Sequence, residues 1–263
     1  MADRFVKKKF KEVFFHPESF RRPDFLVTAS DSQTEMFSKA FRIPESSCLK
    51  VGYPRNSILL RPEEEIVEFV NRYESEETKS LLKELKTFRK IYIYMPTWRD
   101  SQREIFVQNM DLGKLNVILS DNGDLLLLKP HANTIVNDMM SGYSNIRLLP
   151  SSMDTYPLLP FTDCLITDYS SILYDYILMV GKSVVLYLYD YSSYVKERDF
   201  YYPFDDNVVG EKVYDFDTLA ATIRAGAPPV DSSKRDILLT RFWGNPFEND
   251  ACLRISEYAK SRK

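Results

Sequence analysis

The sequence predicts an α/β protein whose larger part is a doubly wound parallel sheet. Two patterns carry that prediction. From about residue 90 onward, runs of four or five uninterrupted apolar residues recur, as expected of strands buried on both faces. Stretches of helical period lie between several of them, which is the alternation a helix-covered parallel sheet requires. The chain has 263 residues, 44% hydrophobic and 28% charged, an ordinary globular composition with length for one to two domains.

Taken in order, Phe25-Leu26-Val27-Thr28 reads as a strand, and Ser32 as the cap of a helix through Met36, Phe37 and Ala40. Leu49 to Tyr53 reads as the next strand, broken at Pro54; Glu63-Glu64-Glu65 opens a helix after Pro62, and another is expected from Ser80 to Phe88. Buried strands follow at Ile91–Met95, Leu125–Leu128, Ile146–Leu149, Cys164–Thr167 and Val184–Leu188. After the fourth of these, Ile172, Leu173, Tyr176, Ile177 and Val180 share one helical face. Asp215–Ala225, Ser232–Trp243 and Asn249–Ser261 read as closing helices. Residues 59–263 thus form one complete doubly wound domain. Residues 1–58, with two strands and one helix, read as the back of a second α/β domain whose front is absent.

Composition narrows the chemistry. Lys and Arg number 35 against 38 Asp and Glu, so no global field argues for nucleic acid. Cys48, Cys164 and Cys252 are far apart, which disfavours a zinc site or disulfide framework and makes a reducing cytoplasm the expected setting. The 8 glycines form no GxG, so no glycine-rich phosphate cradle is available. Gly181-Lys182-Ser183 has the look of a P-loop tail, but the first glycine of that motif would fall at Tyr176; Gly181 reads instead as a helix C-cap. Asp215 precedes a helical pattern and reads as an N-cap, and Asp205-Asp206 lacks His or Cys company, so neither a metal nor a cofactor is expected. No apolar run reaches the ~18 residues of a membrane span, and Met1 leads into Lys7-Lys8-Lys9 without the apolar stretch of a signal peptide. The basic opening from Arg4 to Lys11, with Phe5 and Phe10 interleaved, could sit peripherally on an anionic membrane surface or be a solvated turn.

Ligands of open parallel sheets bind beyond the carboxyl ends of the strands. Three strand ends offer Arg99, then Lys129 with His131, then Asp168-Tyr169-Ser170-Ser171 opening a helix. Helix-start N–H groups, two hydroxyls and two cations suit a phosphorylated ligand. Simple alternatives stand beside each: N-capping for the serines, a structural role for His131, an ion pair with Asp100 for Arg99. His16, followed by Pro17, lies outside this set.

The same segments carry a resemblance. Tyr94-Met95-Pro96-Thr97-Trp98-Arg99-Asp100, Lys129-Pro130-His131, DCLITDYSSILYDY from Asp163 to Tyr176, and YVKERDFYY from Tyr194 to Tyr202 resemble segments of the CDP-glycerol glycerophosphotransferase family, the teichoic-acid polymerases and primases with related capsule polymerases. Val51-Gly52-Tyr53-Pro54-Arg55-Asn56 resembles its GYPRND segment, and the likeness runs from about Asp24 to the C-terminus. The resemblance implies a metal-free GT-B arrangement of two Rossmann-like domains, with the donor's cytidine diphosphate held by residues 59–263. It further implies a reaction in which an acceptor hydroxyl attacks the β-phosphorus of CDP-glycerol, or a related CDP-alditol, and CMP leaves. The acceptor would be a polymer or lipid-linked chain. By motif position, His131 and Arg99 are the expected catalytic residues, and Lys129, Thr167, Asp168, Ser170 and Ser171 the substrate-binding ones. One departure stands out: the family's general base lies in a His-Gly pair, and this sequence has none. The expected alternatives are a donor-binding module without transfer activity, or a GT-B capsule glycosyltransferase using a nucleotide sugar.

Overall fold

The computed structural model describes residues 23–97, 109–129, 142–197, 200–244 and 251–261. The chain folds as two compact units. One comprises residues up to Ser57 with Ser193–Val208 and Asp236–Lys263; the other comprises Ile58–Ser192 and Val209–Arg235. The sequence places its boundary at residue 58 and assigns everything beyond to the second domain; by compactness, two later stretches of chain group with the N-terminal residues.

The larger unit is built on six parallel strands: β3 (Ile91–Tyr94), β4 (Leu125–Leu128), β5 (Ile146–Leu148), β6 (Cys164–Thr167), β7 (Ser183–Tyr187) and β8 (Glu211–Val213). Their spatial order is β5-β4-β3-β6-β7-β8, every neighbouring pair parallel. The chain therefore works outward from β3 to one edge, then returns to its other side at β6 and works outward again. The direction of winding reverses between β3 and β6, the place where open α/β sheets bind ligands. Leu125–Leu128 and Tyr92–Tyr94 are wholly buried, as uninterrupted apolar strands covered on both faces must be. Tyr92, Leu126, Ile166 and Val185 form one core cluster with Leu115 and Leu119 of α4 (Leu112–Asn122) and Leu219 and Ile223 of α7 (Phe216–Ala225). Asp111 and Asp215 cap those two helices, their carboxylates accepting from the Lys114 and Thr218 amides. Ahead of the sheet lie α2 (Glu63–Tyr73) and α3 (Glu76–Leu85).

The smaller unit contains β1 (Leu26–Thr28), α1 (Asp31–Phe41) and β2 (Cys48–Lys50), a βαβ unit whose two strands pair in parallel. Helices α8 (Ser232–Trp243) and α9 (Ala251–Ser261) bring it aromatic partners. Trp243 meets Tyr53 edge-on at 5.5 Å, and Tyr258 meets Phe25 at 5.1 Å.

Several expectations shift by local chemistry. The cap of α1 is Ser30 rather than Ser32: its backbone is extended and its hydroxyl accepts from the Gln33 amide. Helix α3 starts at Glu76, four residues before the expected Ser80, because Ser75 caps the Thr78 amide. The helix after Ser171, α5 (Ile172–Tyr176), stops before Val180, which is 77% exposed instead of sharing the apolar face. Past Tyr176 the Leu178 and Met179 amides turn to the carbonyls three residues back, and the Arg235 guanidinium takes the freed carbonyls of Ile177 and Leu178 at 2.7 and 3.0 Å. Gly181, at φ 77°, then sits in the turn leading to β7 and not at a helix C-cap. Strand β8 has no counterpart among the expected strands, since Glu211-Lys212-Val213 is a short edge strand with no apolar run.

Candidate functional site

The site stands on the strand exits around the switch point. One residue beyond β3, the Met95 amide still donates to the Ile166 carbonyl of β6 at 2.9 Å. Side chains then extend the seam. The Thr167 hydroxyl donates to the Met95 carbonyl at 2.8 Å. Asp168, 1% exposed, accepts at Oδ1 from both the Thr97 amide (2.8 Å) and the Thr97 hydroxyl (2.6 Å). The same oxygen accepts from the Tyr169 amide at 2.6 Å. The loop after β3 and the loop after β6 are thereby joined across the point where the winding reverses.

The exit of β4 joins in through Lys129. Its amide donates to the Tyr94 carbonyl at 2.9 Å. Its ammonium, which has three N–H groups, donates to the carbonyls of Pro150, Ser151 and Met153 at 2.6, 3.0 and 2.7 Å. Burial pushes this ammonium below the ordinary lysine range, against the opposing pull of the Asp154 carboxylate. The loop beyond β5 is tied a second time, by a hydrogen bond from the Tyr156 hydroxyl to the buried Asp175 carboxylate.

Ser170 and Ser171 occupy the start of α5. Ser171 is exposed, has helical φ and ψ of −66° and −11°, and makes no side-chain cap. The Ser170 hydroxyl lies 3.5 Å from the Ile172 amide, the outer limit of a hydrogen bond. Capping thus engages these serines weakly. Among the described residues neither the Ser170 nor the Ser171 amide N–H has an acceptor, so two amides and two hydroxyls are offered together. Because α5 has only five residues, its aligned peptide dipoles are few; the individual N–H groups matter here, more than the half charge expected of a long helix.

Of the residues expected from the sequence, the structure brings Lys129, Thr167, Asp168, Ser170 and Ser171 to adjoining strand exits. The polar side-chain atoms of Lys129 and Thr167, and Oδ1 of Asp168, are turned into the protein. Arg99 and His131 lie outside the described residues, as does His16. The sequence reading assigned no role to Thr97, although it sits inside the quoted PTW segment; only its pairing with Asp168 identifies it. Asp163 and Lys182 serve the opposite, amino-terminal end of the sheet, Asp163 accepting from the Ile91 amide and Lys182 donating to the carbonyls of Pro160 and Thr162. The P-loop-like lysine therefore binds no phosphate position. Asp215 acts as the expected N-cap. Among the described residues no group of three or more His, Cys, Asp or Glu is placed to hold a metal ion.

The chain is similar to known proteins over most of its length. Residues 7–249 match the family model described as CDP-Glycerol:Poly(glycerophosphate) glycerophosphotransferase. The teichoic acid poly(glycerol phosphate) polymerase of Staphylococcus epidermidis is 32% identical over 215 residues, 77% of this chain and 28% of the relative. The teichoic acid ribitol-phosphate primase of Bacillus spizizenii is 30% identical over 210 residues, 77% of this chain and 50% of the relative. The chain thus spans between about a quarter and a half of the length of these curated relatives. A solved structure of the wall teichoic acid polymerase TagF superposes with a TM-score of 0.73 at 25% identity, over 98% of this chain and 65% of that one. The UDP-GlcNAc 2-epimerase of Neisseria meningitidis shares the fold alone, at 13% identity and a TM-score of 0.51, over 90% of this chain and 62% of that one. The fold is GT-B-like, and the chain belongs to the CDP-glycerol:poly(glycerophosphate) glycerophosphotransferase family.

Proposed function

We propose that the chain binds a CDP-activated alditol phosphate, CDP-glycerol or a close relative, and serves its transfer to a polymer or lipid-linked acceptor in teichoic-acid synthesis. The observation that carries this reading is the juxtaposition at the switch point. The Ser170-Ser171 amides and hydroxyls follow directly on Asp168, which grips Thr97 at the β3 exit of a family member, where a diphosphate needs donors. In the transfer, the acceptor oxygen forms a bond to the β-phosphorus. The bond from that phosphorus to the bridging oxygen breaks, CMP takes the electron pair, and the hydroxyl proton passes to a base. Ser170 and Ser171 would hold phosphate oxygens, while Arg99 and His131, which follow the β3 and β4 exits in sequence, would neutralise developing charge. The proposal places the protein on the inner face of the cell membrane, with the basic opening from Arg4 to Lys11 as its peripheral contact. No helix among the described residues is long and apolar enough to cross a membrane.

Calorimetric titration with CDP and CDP-glycerol, without added metal, tests the donor site. Binding is expected, and Ser171→Ala combined with His131→Ala should weaken it about tenfold or more. Unchanged affinity in that double variant would remove the site. A second reading is a donor-binding module without transfer activity. A positioned base typically contributes ~10²–10⁴-fold to such a reaction. CMP release from CDP-glycerol with a primed lipid-linked acceptor separates the two readings, since the module would bind donor and release no CMP.

A further inference from the structure

We infer that Asp168 and Thr97 are a positioning pair for the donor diphosphate, and that Asp168 itself does not touch the ligand. The inference rests on the reading of the switch point as the donor site and assigns that site its internal support.

A phosphate oxygen and an ionised carboxylate are both acceptors, so neither can donate to the other, and their charges repel. Asp168 is also withdrawn from solvent, at 1% exposure, with three donors converging on Oδ1. Such charge-assisted bonds are the strong class, and these are short. Two of them come from Thr97, on the far side of the winding reversal, and the third from Tyr169, one residue on. Each end of the pair therefore fixes a direction. Binding the Tyr169 amide sets how the chain leaves β6, and so where the Ser170 and Ser171 amides emerge. Binding both polar groups of Thr97 sets how the chain leaves β3. The backbone ladder itself ends at Met95 and Ile166. Past that bond Thr167 is linked to Met95 and Asp168 to Thr97, and the second link holds both polar groups of Thr97. A site assembled from two separate loops needs its parts held within about half an ångström to be productive. This pair supplies that constraint.

The test uses the full chain and the variants Thr97→Val, Thr97→Ser and Asp168→Ala. Two readouts are taken: CDP affinity by calorimetry, and amide hydrogen exchange over residues 168–171 without ligand. Thr97→Val keeps the amide and the shape but loses the hydroxyl; it should weaken CDP about tenfold, the worth of one hydrogen bond to a charged group, and speed exchange at 168–171. Thr97→Ser should restore both to within about twofold. Asp168→Ala should weaken CDP at least as much, and adding Thr97→Val to it should cost nothing more, because the two act through one contact. Loss of affinity in Asp168→Ala with Thr97→Val unchanged would make Asp168 a direct ligand and overturn the inference. So would lowered thermal stability with unaltered affinity and exchange in both variants. If the wild-type chain binds no CDP, the functional reading fails; the pair is then judged on exchange alone, where an unaltered rate at 168–171 in Thr97→Val overturns it.

Discussion

The ammonium of Lys129 lies 2.6 Å from the carbonyl of Pro150, and the same nitrogen reaches the carbonyls of Ser151 and Met153. A lysine at the exit of one strand thus organises the loop that leaves the next. Replacing it with methionine keeps the aliphatic stem and strands three carbonyls. Lys129→Met should lower stability by about 1–3 kcal/mol in urea unfolding, and should expose residues 150–158 to limited proteolysis.

Gly210 enters β8 at φ 124°, and a methyl group there would stand 2.6 Å from the Val184 carbonyl oxygen and 2.7 Å from its Cγ1. Both the backbone conformation and the contact exclude a side chain. Gly210→Ala should cost roughly 2–4 kcal/mol in thermal or urea unfolding, with hydrogen-exchange protection lost first at 211–213.

The three thiols should separate by reactivity. Cys252 is exposed, Cys48 is half-buried with its thiol pushed up by burial and by Glu45, and Cys164 is fully buried with its thiol pushed up to about 12. Because the thiolate is the reactive form, a disulfide reagent at pH 8 should modify Cys252 quickly, Cys48 slowly and Cys164 only after denaturation. Fast modification of Cys164 in the native protein would contradict its place on β6.

Alkaline pH should destabilise the fold through its buried thiol and tyrosine hydroxyls. Burial raises the Cys164 thiol and the Tyr187 hydroxyl each to about 12, and pushes the Tyr92 and Tyr176 hydroxyls up as well. The unfolded chain loses these protons first, near pH ~8.5 for cysteine and ~10 for tyrosine, while the folded chain keeps them. Stability from these groups is therefore complete below pH ~8.5 and is lost as pH rises toward about 12. Denaturant midpoints measured from pH 8 to 11 should fall, and Cys164→Ala should remove the earliest part of the fall.

The sheet was legible because buried parallel strands announce themselves. Ile91-Tyr92-Ile93-Tyr94 and the four leucines at 125–128 have no rival reading, and each lies where its apolar run places it. Glu211–Val213 was not legible, since an edge strand needs no apolar run and pairs through its backbone alone. The premature end of α5 was hidden for another reason: the carbonyls it frees are taken by Arg235, 58 residues from Ile177, and no local pattern encodes so distant a donor. At the site, position was legible and role was not. Lys129, Thr167 and Asp168 stand at the strand exits that the topology rule selects, yet whether a polar side chain faces a ligand or its own protein depends on which carbonyls and amides the folded loops bring within 3 Å.

The division of the chain between its two units has a consequence for biosynthesis. The smaller unit takes residues from before Ile58 and from after Arg235, with about 180 residues of the larger one and its return stretch between them. On a ribosome adding ~5–20 residues per second, its first strands wait roughly 10–45 seconds for Trp243 and Tyr258, the aromatic partners of Tyr53 and Phe25. Meanwhile the six-stranded sheet, whose strands all lie between Ile91 and Val213, can close. Within these residues the larger unit is therefore expected to form before the aromatic pairs of the smaller one, and a holdase that shields residues 25–57 in the interval should reduce their misassociation.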